Sequence, residues 1–171
     1  GNVKAKPIVS CPEKWQSKEC QEIRCQDYDS AIAMIKLVES HRKSLDSIGS
    51  EVELQISGMP IGIGEPWFDG IEPYLARAIM SIPAARGVEF GNGFSVVEMK
   101  GSEHNSPWGG DKNNPVMLGE KPDGALAGLS TGSDLFCKVA FKPPSSIPKE
   151  QVTLNLSTNK QEPLTVKGRH D

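Results

Sequence analysis

The chain has 171 residues, a net charge of −3 and a hydrophobic share of 37%. That length suits one domain with a real core, and 17 glycines with 13 prolines indicate an α/β or α+β protein rich in loops. The weak negative charge gives no reason to expect nucleic acid or an anionic membrane as a partner. No apolar stretch of about 20 residues and no charged-then-apolar leader is visible, so we expect a soluble protein.

The first part of the chain predicts one helix and one strand. Residues 1–27 show no clear period and indicate a loop or a broken element. A helix begins near Asp29, with Asp29 or Ser30 as its cap, because apolar residues then recur at i, i+3, i+4 and i+7. Glu51–Ile56 alternates polar and apolar residues, which predicts a half-buried strand.

A second helix follows the glycine- and proline-rich loop Gly58–Pro66. Asp69 and Glu72 have the spacing of a capping box, and Pro83 ends the helix. Its predicted buried stripe consists of Ile71, Leu75, Ala78, Ile79 and Ile82. Further on, the pattern predicts short strands at Val88–Phe90 and Phe94–Met99, a long aperiodic segment at Gly101–Asp123, and strands at Leu135–Phe141 and Val152–Leu156.

The four cysteines are not spaced for a metal or redox site. Cys11, Cys20 and Cys25 lie nine and five residues apart, and Cys137 stands alone in an apolar run. These spacings match neither a C-x-x-C zinc clip nor a redox pair, so no metal site is predicted. A disulfide within the first segment and free thiols both fit the sequence, and the spacing favours free thiols.

Four segments carry groups suited to ligand binding. Glycine lets backbone approach a ligand, so Ser81–Arg86 and Gly91–Gly93 are candidates to line a cleft; a well-capped core helix between two turns is the alternative. Lys142–Ile147 (KPPSSI) offers a cation and hydroxyls on a stiff loop, as a phosphate or flavin cradle or as an ordinary strand-end loop. Gly168–Asp171 (GRHD) joins an anion-binding fork, an imidazole and a carboxylate, or is simply a solvated end.

Four segments, in this order along the chain, together resemble the motifs of chorismate synthases. They are GEPWFDGIEPYLARAIMSIPAARGVEFGNGF at Gly64–Phe94, LAGLSTG at Leu126–Gly132, KPPSSI at Lys142–Ile147 and GRHD at Gly168–Asp171. The resemblance extends from about residue 46 to residue 171. It implies an α+β fold, a β-α-β sandwich with helices packed between antiparallel sheets, in which residues 1–171 form the central part of a single domain.

The resemblance also implies a reaction and its cofactor. Chorismate synthases eliminate phosphate, in an anti-1,4 sense, from 5-enolpyruvylshikimate-3-phosphate to give chorismate, and they require reduced flavin mononucleotide (FMN). NADPH is implied only where the parent enzyme also reduces its own flavin. The implied partners are a small phosphorylated substrate and, for the full-length family, three further copies in a homotetramer. The implied compartment is the cytoplasm, or the plastid in a plant.

Individual site residues follow from the same resemblance. Asp171 is implied as the catalytic residue that takes part in proton removal. Ala127 replaces a glycine of the family motif. The family's catalytic histidines and arginine-rich phosphate loop have no counterpart in the sequence, so we expect no turnover by this chain alone; the alternative is a non-catalytic core for oligomerisation that binds no flavin. The implied flavin-binding residues are Pro83, Ala84, Ala127, Lys142, Pro143, Pro144, Ser145, Ser146 and Arg169.

Overall fold

The structure, a computed structural model, describes residues 15, 17–119 and 123–166. The chain divides into two compact units, residues 1–50 with 142–171 and residues 51–141, and each is described by itself. The helices of the described residues are α1 (Lys18–Ile23), α2 (Tyr28–Lys43), α3 (Ile71–Met80) and α4 (Gly101–His104). The strands are β1 (Ser50–Ile56), β2 (Ala85–Phe90), β3 (Trp108–Asp111), β4 (Asn114–Met117), β5 (Ala125–Leu126), β6 (Leu129–Ser130), β7 (Leu135–Phe141), β8 (Gln151–Asn155) and β9 (Lys160–Leu164).

In the first unit, α1 and α2 pack around a small apolar core, and β8 pairs with β9 as an antiparallel hairpin. The predicted cap of α2 is wrong by two or three residues. Asp27 is the N-cap, because its carboxylate accepts the backbone N–H of Ser30 at 2.8 Å and satisfies one of the first-turn donors. The buried core residues are Trp15, Cys20, Cys25 and Ala31.

In the second unit, α3 packs on a three-stranded sheet of order β1-β7-β2. β7 and β2 are antiparallel, with Val139 opposite Val88. Alternate residues of β7 are buried, and Ile79 and Leu75 of α3 pack on that face. The prediction of a buried face on α3 is right for Ile71, Leu75 and Ile79 and wrong for Ala78 and Ile82. Ala78 and Ile82 are exposed because the sheet covers a narrower face of the helix than the sequence predicts.

Three further predictions in this unit are wrong. Gly70, which follows a 3₁₀ turn at Trp67–Asp69, is the N-cap of α3 without a side-chain cap, so no capping box forms at Asp69. Residues Gly93–Glu98 form a 3₁₀ helix rather than a strand, and among the described residues no strand pairs with them. Residues 101–119, predicted to be an aperiodic segment, contain α4 and the β3–β4 hairpin. In the turn of this hairpin, Asp111 Oδ1 accepts two backbone N–H groups. Such local hydrogen bonds leave no hydrophobic period in the sequence.

The mixture of helices with antiparallel sheets confirms the α+β class. Among the residues described, no helix combines the length and apolar character that a membrane crossing needs. Cys20, Cys25 and Cys137 are buried free thiols, and Cys11 lies outside the described residues. The described residues also contain no group of three or more side chains suited to holding a metal ion.

Candidate functional site

The LAGLSTG segment forms a tight hairpin. Leu126 pairs with Leu129, which leaves a two-residue turn of Ala127 and Gly128. Their φ angles are +52° and +89°. Two positive φ values in a two-residue hairpin loop are the signature of a type I′ turn, which a glycine adopts freely and an alanine adopts at a cost. The alanine at the predicted flavin position is therefore held in a left-handed conformation.

This hairpin turn crosses the loop before α3 at backbone contact distance. A Cβ built on Gly128 would lie 2.3 Å from the carbonyl oxygen of Glu65, and one on Gly64 would lie 2.2 Å from the Gly128 oxygen. The Gly128 oxygen also accepts the N–H of Ile71, the first residue of α3, at 3.0 Å. Glycine is required at the crossing because any side chain would overlap backbone. The crossing fixes the N-terminus of α3.

The two hydroxyls of LAGLSTG point into the protein and are committed to it. Ser130 is 2% exposed; its Oγ donates to the Pro60 oxygen at 2.5 Å and accepts the Ile63 N–H at 2.8 Å. Thr131, also 2% exposed, donates to the Asp123 oxygen at 2.6 Å. Neither hydroxyl is left to meet a ligand, so this segment can offer only backbone groups to one.

Pro83 and Ala84 form an exposed turn at the other end of α3. The Ala85 N–H donates to the Ile82 oxygen at 3.2 Å, and Ala84 has a φ of +70°. Proline followed by a residue of positive φ is the pattern of a type II turn. The ten residues of α3 span about 15 Å, so the structure separates Pro83 and Ala84 from Ala127 by the length of the helix.

The KPPSSI loop lies in the first unit and leaves its polar groups free. Lys142 and Ser145 are exposed and Ser146 is half-buried. In the part of the chain that the structure describes, the ammonium and both hydroxyls have no hydrogen bond or ion pair. The loop's Pro144 oxygen, in contrast, accepts the hydroxyl of Ser47 at 2.6 Å. Arg169 and Asp171 lie outside the described residues, so their predicted roles stay predictions.

An open cleft of about 350 Å³ lies in the second unit. Gly91 and Asn92 line it, as the sequence predicts for the second glycine loop, whereas residues 81–86 do not. Phe136 and His104 add apolar and imidazole surface. The other charged or polar lining residues are Glu53, Ser95, Asp123, Asp134 and Lys138.

The charges of this cleft oppose an anionic ligand. Lys138 is its single lysine or arginine among the described residues, and its ammonium already faces Glu53 at 3.9 Å and Glu89 at 3.5 Å. Burial raises the pKa of Glu72, and the negative charge of Asp123 raises it further. A phosphate entering the cleft would meet three carboxylates, those of Glu53, Asp123 and Asp134, and one ammonium, so the charge of this cleft does not favour a phosphate.

The helix α3, packed on the sheet that contains the antiparallel pair β2–β7, belongs to a protein of the α+β class. A solved structure described as chorismate synthase matches with a TM-score of 0.66 and 25% identity over 73% of this chain and 38% of that one. The profile of the chorismate synthase family matches residues 2–171. The chain belongs to the chorismate synthase family, which confirms the resemblance and the chorismate-synthase-like fold.

The curated relatives are considerably longer than this chain. The chorismate synthase of Methanosarcina acetivorans is 40% identical, and that of Methanosarcina barkeri 42% identical, over all 171 residues. In both comparisons the chain spans 47% of the relative's length. The prediction that residues 1–171 are the central part of a single domain stays a prediction.

Sequence reasoning missed the residues that hold the KPPSSI loop. Asp46 and Ser47 look like an ordinary turn after a helix, and nothing in their spacing indicates a contact with Pro144, 97 residues away from Ser47. A hydroxyl donating to a carbonyl leaves no sequence pattern, because almost any serine can do it. Only the coordinates reveal the contact.

Proposed function

We propose that this chain provides part of the flavin site of a chorismate synthase and binds FMN by its phosphate at the KPPSSI loop. The observation that carries the proposal is a set of three donors on one stiff loop that have no partner among the described residues: the Lys142 ammonium and the hydroxyls of Ser145 and Ser146. A cation with two hydroxyls suits a phosphate in charge and in hydrogen-bond polarity. Reduced FMN, when bound, would supply an electron for the elimination and take it back.

The remaining residues are assigned narrower tasks. Ala84 and Ala127 lie in turns with positive φ, where backbone groups are exposed to a planar ligand. Arg169 is proposed to hold the flavin and Asp171 to take part in proton removal from the phosphorylated substrate. These tasks rest on the family resemblance, and the full-length assembly is proposed to be a homotetramer on the same ground.

The chain alone is proposed to be inactive in the elimination of phosphate from 5-enolpyruvylshikimate-3-phosphate. Departure of phosphate needs cations at the leaving group, and the cleft of the second unit is acidic. With reduced FMN and substrate, we expect turnover no faster than background. Measurable chorismate formation by the purified 171-residue chain would overturn this part of the proposal.

Flavin binding is tested by titrating oxidised FMN and following its fluorescence. We expect saturable quenching, weakened about tenfold or more by Lys142→Ala because a charge-assisted hydrogen bond is lost. Lys160→Ala, which removes an exposed lysine from β9, is the matched control and is expected to change the affinity less than twofold. Equal losses in both variants would show that only net charge matters and would contradict a site at the loop.

The second candidate is a structural core of the same fold that binds no flavin. The observation in its favour is that the LAGLSTG hydroxyls are consumed by internal hydrogen bonds. An unchanged FMN fluorescence at high protein concentration would favour this candidate over the first.

A further inference from the structure

The turn after α2 is fixed rigidly to the end of that helix. Leu45 has a φ of +58°, its N–H donates to the Arg42 oxygen at 3.1 Å, and the Asp46 N–H donates to the His41 oxygen at 2.9 Å. These two bonds form a Schellman motif, which closes a helix and sets the direction of the chain that leaves it. Asp46 and Ser47 are therefore presented by a 16-residue helix rather than by a loose loop.

From this turn, two side chains reach two points of the KPPSSI region. The Ser47 hydroxyl donates to the Pro144 oxygen at 2.6 Å, and the Asp46 Oδ2 atom meets the Lys149 ammonium at 3.4 Å. The other oxygen of Asp46 accepts the N–H of Ser47 at 2.9 Å, which holds the two residues in one arrangement. That backbone bond, followed by Lys149, lowers the pKa of Asp46, so its carboxylate stays charged at neutral pH.

The two anchor points enclose the free donors. Ser145 and Ser146 lie between Pro144 and Lys149, and a backbone bond from the Ile147 N–H to the Ser145 oxygen at 3.1 Å tightens the segment. The Pro144 carbonyl belongs to the peptide plane that leads into Ser145. Turning that plane would swing the hydroxyls that follow it.

We infer that Ser47 is a positioning residue for ligand binding: through the Pro144 carbonyl it sets the orientation in which Ser145 and Ser146 meet a phosphate. The inference rests on the proposed FMN binding, and Ser47 itself touches no ligand in this arrangement. An unpositioned hydroxyl pair must be ordered by the ligand, which reduces affinity without requiring any change in overall stability.

The test compares three serine variants in the FMN titration. Ser47→Ala is expected to weaken FMN binding about tenfold, and Ser47→Thr, which keeps the hydroxyl, is expected to restore it to within about threefold. Ser44→Ala is the control, because the Ser44 hydroxyl donates within its own turn, to the His41 oxygen at 2.9 Å; it is expected to change affinity less than twofold. The urea midpoint should stay constant across the three variants.

Three results would overturn the inference in that titration. The first is an unchanged affinity in Ser47→Ala, and the second is an equal loss in Ser44→Ala, which would indicate a general effect of the turn. Failure of Ser47→Thr to restore binding would also contradict a role for the hydroxyl.

Hydrogen exchange without flavin separates this inference from the proposed function. If the wild-type chain binds no FMN, the proposed function fails, while the orientation of the loop can still be measured. Ser47→Ala is then expected to accelerate amide exchange at residues 145–147 about tenfold relative to Ser44→Ala. Unchanged exchange there would show that Ser47 does not hold the loop.

Discussion

The LAGLSTG and KPPSSI segments use similar residues in opposite ways. In the first, the hydroxyls of Ser130 and Thr131 are buried and hydrogen-bonded to backbone groups, and Gly128 at the turn lets two backbone segments of the chain cross. In the second, the hydroxyls of Ser145 and Ser146 have no partner among the described residues, and the loop is held by its carbonyl. Similar serine-containing motifs can therefore use their hydroxyls to stabilise the fold or keep them available to bind a ligand.

The largest change in the free energy of unfolding is expected from Gly128→Ala, in the LAGLSTG segment. A methyl group there would meet the Glu65 oxygen at 2.3 Å in a conformation with a φ of +89°, so the crossing must open. We expect the free energy of unfolding to fall by about 2–5 kcal/mol in chemical denaturation. Gly62→Ala is the control, since Gly62 also has positive φ but open space around it, and a loss of only about 1 kcal/mol is expected. Equal losses would show that steric overlap at the crossing is unimportant.

The next largest effect is expected from Ser130→Ala. It removes the hydroxyl of the buried Ser130, which accepts the Ile63 N–H and donates to the Pro60 oxygen, and leaves both of these backbone groups without that partner. The free energy of unfolding should fall by about 2–3 kcal/mol. Ser145→Ala, on the opposite side of the comparison, should alter it by less than about 0.5 kcal/mol while weakening FMN binding. Equal destabilisation by both substitutions would show that the serines of the two segments do not differ in their contribution to stability.

The carboxyl groups beside the two segments should respond to pH with opposite signs. The pKa of Glu72 is raised, so the folded state holds its proton longer, and this group's stabilisation is present below the unfolded pKa and is lost as pH rises through the folded pKa. The pKa of Asp46 is lowered, so its stabilisation is present above the unfolded pKa and is lost as pH falls through the folded pKa.

Substitution by the neutral amide tests these signs. At pH 7, Glu72→Gln should have a higher free energy of unfolding than the wild type, and this gain should be smaller at pH 4. The gain should be smaller than the loss caused by Ser130→Ala. At pH 7, Asp46→Asn should have a lower free energy of unfolding than the wild type. Denaturation curves at both pH values measure the difference. Glu98→Gln, at an exposed carboxylate, is the control. A Glu72 variant less stable than wild type at pH 7 would contradict the assignment.

The smallest effect is expected from Ala127→Gly. Glycine adopts the φ of +52° without the penalty that alanine carries, although it gains freedom in the unfolded chain. The net result should be an increase of about 0.5 kcal/mol in the free energy of unfolding. Ala140→Gly in β7 is the control and should decrease it by about 0.5–1 kcal/mol. A decrease in both variants would mean that the strain at the hairpin turn is negligible.

Sequence patterns alone were enough to predict the elements whose signals are local and periodic. The apolar spacing of α2 and α3 and the alternation of β1 predict those elements, and the apolar run of β7 predicts a strand. Their boundaries are right to within about two residues, and in α3 and β7 burial of one face accounts for the period. The prediction that β1 is half-buried is wrong, because every residue of β1 except Ile56 is exposed. The family, too, could be recognised from contiguous motifs.

The polar groups that remain available to a ligand could be identified only from the folded chain. Asp27 rather than Asp29 caps α2, residues 93–98 turn rather than extend, and Ser130 is buried while Ser145 is exposed. For Ser130 the partners are backbone groups of Pro60 and Ile63, far away in sequence. A backbone carbonyl has the same chemistry at every residue, so the sequence carries no mark of the one that Ser47 selects.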